Sequence, residues 1–189
     1  MDDISLIRLA QNGDANAFNE LAQRWQGKIH RFVYGFFGNA DDAGEITQKT
    51  LIRVYRKVQD LDDPARFSSW IYRIANNLCL DELKRAGRRR STPLNGEETL
   101  IADSPSRTPA GQLENRELGE IIQDALVLLP DEQRIVIVLK EYEGMKFREI
   151  ADILEEPENT IKSRMYYGLK TLRNTLTKWN IPKEYLNHE

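Results

Sequence analysis

Apolar positions recur at helical spacing along most of the chain. Phe18, Leu21, Ala22, Trp25, Ile29, Phe32, Val33 and Phe36 are separated by three, one, three, four, three, one and three residues, one stripe of a long helix. Ala43, Ile46, Thr47, Thr50, Leu51, Val54, Tyr55 and Val58 repeat the pattern, after an Asn39–Asp42 start that supplies cap oxygens and first-turn acids. Phe67, Trp70, Ile71, Ile74, Ala75 and Leu78 mark a further helix to about Leu83, and a short one over Ile4–Gln11 precedes them all, ending near Gly13. No alternating strand pattern interrupts the series.

From Ala86 to Gln112 the periodicity stops, and Pro93, Pro105 and Pro109 fall in this stretch. A structureless segment of that length is unusual inside a domain and ordinary between two. As coil it would span ~30 Å, at ~5–6 Å times the square root of its length. Pulled taut it would reach ~90 Å, at ~3.3–3.6 Å per residue.

Helical pattern resumes near Leu113. Leu118, Ile121, Ile122, Ala125 and Leu129 form one stripe, stopped by Leu129-Pro130 because proline disfavours α geometry in the residue before it. Asp131–Tyr142 reads as a second helix, with Ile135, Val138, Leu139 and Tyr142 inward and Gly144 breaking it. Phe147, Ile150, Ala151 and Leu154 make a third. After Glu155-Glu156-Pro157 comes a fourth, with Ile161, Met165, Leu169, Leu172 and Leu176 inward. The expectation is an all-α protein of two small helical domains joined by a flexible linker. Residues 1–87 form the first, 88–112 the linker, 113–180 the second, and 181–189 a tail.

Composition narrows the function. The chain has 189 residues, 27 Lys+Arg against 30 Asp+Glu, one Cys and two His. Cys79 alone excludes an internal disulfide, and with His30 and His188 it makes no zinc site without carboxylates. His30, among apolar neighbours, and Cys79 read as structural. Apolar runs such as Ile135–Leu139 fall far short of the ~20 residues a membrane helix needs, so no membrane insertion is expected. The acidic Met1-Asp2-Asp3 start lacks a signal-peptide core, which predicts a cytoplasmic protein. Gly-rich phosphate loops, HExxH and G-x-S-x-G are all missing from the sequence, so the expectation is a non-enzyme without cofactor or metal.

Charge is concentrated rather than spread. Residues 1–87 carry as many bases as acids and residues 114–189 an excess of acid, yet two basic islands stand out. One holds Lys84, Arg85, Arg88, Arg89 and Arg90. The other, Asn159–Lys178, holds Lys162, Arg164, Lys170, Arg173 and Lys178 with no acid. Such placement suits selective contact with nucleic acid better than general adhesion to polyanions.

The third and fourth helices of the second half read as a helix-turn-helix, which sets the first turns of its second helix in the major groove. Subtracting the inward positions leaves Thr160, Lys162, Ser163, Arg164, Tyr166, Tyr167 and Lys170 outward or flanking. These types suit guanine acceptors, phosphates, thymine methyls and sugars. In the first half, Arg66, Phe67, Trp70, Arg73, Asn76, Asn77 and Lys84 combine aromatics and amides with a basic track, as single-strand binding uses. Phe67 and Trp70 also fit the core stripe, so their spacing reports packing first.

At this point the residues resemble a family. Asp41-Asp42-Ala43-Gly44-Glu45-Ile46-Thr47-Gln48 and Phe67-Ser68-Ser69-Trp70-Ile71-Tyr72-Arg73-Ile74-Ala75-Asn76-Asn77 are similar to region 2 of bacterial sigma factors. Leu129-Pro130-Asp131-Glu132-Gln133-Arg134, Phe147-Arg148-Glu149-Ile150-Ala151 and Thr160-Ile161-Lys162-Ser163-Arg164 resemble region 4. With no room for a region 3 domain, the order resembles an extracytoplasmic-function sigma factor of the sigma-70 family. The resemblance implies a subunit that binds core RNA polymerase and directs promoter recognition and strand opening. It implies duplex minus-35 DNA on the last helix and a single-stranded minus-10 element near the Asp60–Arg66 loop, with a flipped base. Glu45, Gln48, Arg53 and Arg56 would face the polymerase, and an anti-sigma factor is a partner the family admits.

The sequence departs from the family pattern in three places. Lys49 stands where an acid is usual. Tyr166-Tyr167-Gly168-Leu169 replaces basic residues, which favours a stacking readout, and Glu158-Asn159 replaces a Gly-containing turn in which Asn can take left-handed geometry. The competing expectation is a helix-turn-helix regulator that binds duplex DNA without polymerase. It requires neither the long linker nor the basic aromatic helix. A helical adaptor that touches no DNA is a further alternative, against which the acid-free last helix argues.

Overall fold

The computed structural model describes residues 1–91 and 118–181, mostly helix, with no strand among them. In chain order the helices are α1 (Asp3–Gln11), α2 (Ala15–Phe37), α3 (Ala40–Lys57), α4 (Phe67–Ser91), α5 (Leu118–Val127), α6 (Asp131–Ile137), α7 (Phe147–Leu154) and α8 (Glu158–Lys178). Two 3-10 turns, Val58–Asp60 and Pro64–Arg66, lie between α3 and α4, and a π turn, Val138–Tyr142, continues α6.

Local chemistry fixes the helix starts. Asp2 accepts from Ser5 N, Asp14 from Asn16 N and Ala17 N, and Asn39 from Asp41 N and Asp42 N. Each satisfies backbone donors that a helix start leaves unpaired. Glu149 performs the reciprocal service at α7, accepting from Lys146 N at 2.7 Å. The turn into α8 departs from expectation. Its left-handed residue is Glu155, with φ 56°, whereas Asn159 already lies within α8.

Helix α4 runs past Leu83 to Ser91, so the helical backbone takes in residues 88–91, which the sequence placed in the linker. Residues 92–117, most of that linker and the expected start of α5 at Leu113, lie outside the described residues, as do residues 182–189 of the tail. Ile181 is described and buried, packed with Ile121, Ala125 and Leu176.

The first unit buries Leu6, Ile7, Leu21, Ile29, Phe32 and Phe36 against Ile46, Val54, Ile71 and Ala75. In the second, α8 presents Ile161, Met165, Gly168 and Leu176 inward. This corrects the expected stripe, because Leu169 is 44% exposed and Gly168 takes the inward place. A Cβ on Gly168 would sit 2.9 Å from Ile137 Cδ1 and 3.2 Å from Gln133 Cβ. Only glycine lets α8 approach α6 that closely. Tyr55, expected in the α3 stripe, is also turned outward, at 58% exposure.

The two units share one hydrophobic core instead of standing apart. Arg134 through Leu139 are all buried. A helix enclosed on every side must be apolar all round, which accounts for the unbroken Ile135–Leu139 run. One side of this segment packs on α8 and the other on α2. Among the described residues no helix is long and apolar enough to cross a membrane.

Candidate nucleic-acid interface

Three surfaces carry the residues singled out by sequence. On α3, Glu45, Gln48, Arg53 and Arg56 are all exposed, on the side opposite Ala43, Ile46, Thr50 and Val54. Ile52 and Tyr55 stand among them at 46% and 58% exposure. Lys49 reaches Glu45 at 2.5 Å and lies 4.0 Å from Glu82 of α4. Lys49 therefore stands between α3 and α4.

The second surface is the loop into α4. Gln11 Nε2 donates to Val58 O at 3.0 Å and Leu61 O at 2.7 Å, holding the loop against α1. Asp63 caps the following turn by accepting from Ala65 N at 3.0 Å. Between this loop and α4 opens a pocket of 240 Å³, walled by acids Asp60, Asp62 and Asp63, by Arg66 and Arg73, and by Trp70. Arg66 is exposed on its wall, and Asn77 and Lys84 are exposed further along α4.

Two of the predicted strand-binding residues lie elsewhere. Phe67 is 2% exposed and packs edge-on against Trp25, with ring centroids 5.2 Å apart. Asn76 is 6% exposed, and its Oδ1 has no hydrogen-bond partner among the described residues. Both side chains face the core because they fall on the Ile71–Ala75 side of α4. Arg73 is half-buried and engaged by the second unit. It donates to Asp152 O and pairs with Glu155 at 2.9 Å.

The third surface is the start of α8. Lys162, Ser163, Tyr166, Tyr167 and Lys170 are exposed and Thr160 partly so. The Tyr166 and Tyr167 rings meet edge-on, centroids 5.4 Å apart, and present the largest exposed aromatic area of the helix at 64% and 56%. Lys162 pairs with Glu158 one turn back at 2.6 Å, an exposed contact that DNA could displace at little cost. Arg164 differs. Its side chain is 19% exposed and held by Glu132 at 3.0 Å and Glu156 at 3.1 Å, so it braces the turn between α7 and α8.

Sequence reading missed the residues that join the units. Gln123 Nε2 donates to Tyr34 O and Gly35 O, both at 3.1 Å. Arg134 Nη1 donates to Phe36 O at 2.6 Å while its Nη2 reaches Leu129 O and Asp131. Burial lowers the pKa of this guanidinium, and Asp131 offsets part of that. Glu143, whose side chain is 4% exposed, receives Arg31 Nε at 3.0 Å and the Tyr72 hydroxyl. The hydrogen bond that Arg31 donates to Glu143 is the leading reason that the Arg31 pKa is raised. The available signal was a polar Gln and Arg inside otherwise apolar stripes, which local spacing cannot assign to a partner.

Comparison with known proteins agrees with this geometry. Residues 21–89 match the family described as Sigma-70 region 2, and residues 119–172 match Sigma-70, region 4. The chain is 33% identical over 178 residues to the ECF RNA polymerase sigma factor SigW of Bacillus subtilis, covering 90% of this chain and 94% of that one. Its fold is similar to that of CnrH solved in complex with the cytosolic domain of CnrY, with TM-score 0.68 and 23% identity over 93% of this chain and 97% of that one. It is also similar to the sigma factor RpoE of Bartonella quintana, solved with the anti-sigma factor NepR, with TM-score 0.66, 20% identity and coverage of 85% and 96%.

Proposed function

This chain belongs to the extracytoplasmic-function sigma factors of the sigma-70 family, which direct initiation of transcription by RNA polymerase, and on that premise we propose which surfaces do the work. The outward face of α3, with Glu45, Gln48, Arg53 and Arg56 around Ile52 and Tyr55, docks on core polymerase. A protein that works as part of polymerase resides in the cytoplasm, as a non-catalytic subunit. The first turns of α8 read duplex minus-35 DNA, with Lys162 and Lys170 on phosphate or guanine and Tyr166 and Tyr167 against sugar and thymine methyl.

The observation that carries the reading of region 2 is the pocket beside Trp70. Its 240 Å³ hold an aromatic face for stacking and three carboxylates that accept hydrogen bonds. That lining suits a flipped base bearing an exocyclic amine, adenine, cytosine or guanine, over thymine, which has none. Arg66 in the turn before α4, and Asn77 and Lys84 along α4, hold the strand that leaves the pocket. Opening the duplex costs a few kcal/mol per unstacked base, offset only by contacts made to the open form. An anti-sigma factor, as solved with the Bartonella quintana relative, is the partner we expect to hold the chain in reserve.

Run-off transcription with core polymerase, on DNA from upstream of the chain's own operon, tests the reading. Addition of the chain should yield a defined transcript, and a heparin-resistant complex should form. A helix-turn-helix regulator would instead bind duplex tightly alone and give no transcript with core enzyme. Trp70→Ala should reduce open-complex formation while leaving duplex minus-35 binding intact, and equal loss of both would refute the pocket's role.

A further inference from the structure

We propose that Asn159, on the first turn of α8, reads an adenine edge in the minus-35 duplex, and that with the Tyr166–Tyr167 pair it makes α8 a reader of A·T pairs rather than of guanine. The inference rests on the assignment of α8 to the minus-35 element and names the bases it selects.

Four exposed residues of α8, Asn159, Ser163, Tyr166 and Lys170, recur at spacings of four, three and four. At 3.6 residues per turn they form one stripe, opposite the buried Ile161, Met165 and Gly168. Tyr167 borders this stripe, whereas Thr160 stands off it and is partly covered. A recognition helix meets base edges with its N-terminal residues, and Asn159 is the first residue of the stripe. The fold makes no use of its side chain. Asn ordinarily stabilises a helix start as the cap and is a weak helix former inside one. Here the cap position is Pro157, whose carbonyl accepts from Thr160 N at 2.9 Å and Ile161 N at 3.2 Å. The Asn159 carboxamide makes no hydrogen bond among the described residues. Such a group matches adenine at both ends, donating from Nδ2 to N7 and accepting from the N6 amine at Oδ1.

The usual guanine reader is withdrawn. An arginine fork on guanine O6 and N7 is the commonest specific contact in the major groove. Arg164 is the one Arg of residues 158–172, and its guanidinium is tied to Glu132 at 3.0 Å and Glu156 at 3.1 Å. Two tyrosine rings take the exposed place instead, packed edge-on with 75° between their planes, so that each holds the other outward. An apolar surface of this kind selects the C5 methyl of thymine. Asn159 and Tyr166 stand ~10.5 Å apart along the axis at ~1.5 Å per residue. They therefore address positions about three steps apart at ~3.4 Å per base-pair step. Lys162 and Lys170 are left to the phosphates.

The test uses holoenzyme assembled from the full chain and core polymerase. Promoter templates randomised through the minus-35 region are offered, and those retained in heparin-resistant complexes are sequenced. The wild-type chain should enrich adenine at one position by at least about fivefold, the low end for a bidentate pair, and thymine about three steps away. Asn159→Ala should abolish the adenine preference alone, with the thymine preference and the melting temperature unchanged. Deoxyuridine in place of the selected thymine removes only the methyl. It should weaken complex formation by wild type severalfold and leave the Tyr166→Ala/Tyr167→Ala chain indifferent. The inference is overturned by an Asn159→Ala profile equal to wild type, by a guanine preference that disappears with Arg164→Ala, or by wild-type indifference to deoxyuridine. Each of those results leaves α8 on the minus-35 element. A wild-type holoenzyme with no base preference anywhere in that region would instead remove α8 from the element, and the inference with it.

Discussion

Tyr72 donates its hydroxyl to Glu143, so α4 and the turn after the π segment meet through a partly buried hydrogen bond across 71 positions of sequence. Glu143 is nearly inaccessible and also receives Arg31, whose own side chain stays 54% exposed. Hydrogen bonds to a charged group are worth ~1.5–3 kcal/mol. Tyr72→Phe should therefore cost about 2 kcal/mol, and Glu143→Ala about 3 kcal/mol because it orphans a buried hydroxyl. Urea unfolding measures both. Wild-type midpoints for the two variants would show that the contact is not made in solution.

The same tyrosine gives an alkaline limb. Burial raises the Tyr72 pKa, helped by the Glu143 hydrogen bond, and burial also raises that of Tyr142. The unfolded chain loses these protons near pH 10 while the folded one keeps them, so stability is complete below about pH 10 and falls as pH rises beyond it. Tyr72→Phe should flatten this fall in a series of thermal melts, and an unaltered slope would contradict the assignment.

Glycines should separate by position. Gly168→Val drives side-chain atoms into Ile137 and Gln133, and overpacking of this kind costs ~1–3 kcal/mol. Gly27, within α2, has nothing within 4 Å of a Cβ, so Gly27→Ala should stabilise by ~0.5–1 kcal/mol. Chemical denaturation of the pair would reveal any reversal of sign.

Within α8 the basic residues should divide by role. Lys162→Ala and Lys170→Ala should each reduce the slope of log affinity against log salt by about one on minus-35 duplex, as expected for lost phosphate contacts. Arg164→Ala should lower the melting temperature as well, because its guanidinium ties α8 to Glu132 and Glu156. An Arg164 variant of wild-type stability with weakened binding would return that residue to the DNA surface.

Cys79 is fully buried, and desolvation pushes its thiol pKa up, which suppresses the reactive thiolate. Its modification by a thiol reagent should follow the fraction unfolded in denaturant. Rapid labelling of the native chain would disprove its enclosure.

Much of this protein could be read from its residues in order. The stripes of α2 and α3, the capping by Asp14 and Asn39, the stop at Pro130 and the helix-turn-helix all depend on neighbours within about four positions, where a 3.6-residue period and side-chain caps act. The tertiary structure decided what local spacing leaves degenerate. It turned Leu169 outward and Gly168 inward, because α6 approaches that side of α8. It buried Asn76 and Phe67 on the core side of α4. It also gave Gln123, Arg134 and Glu143 partners 88 to 112 residues away. A chain's periodicity states that a face must be covered. Which distant surface covers it follows from shape and charge meeting in three dimensions, and here that surface belongs to the other half of the molecule.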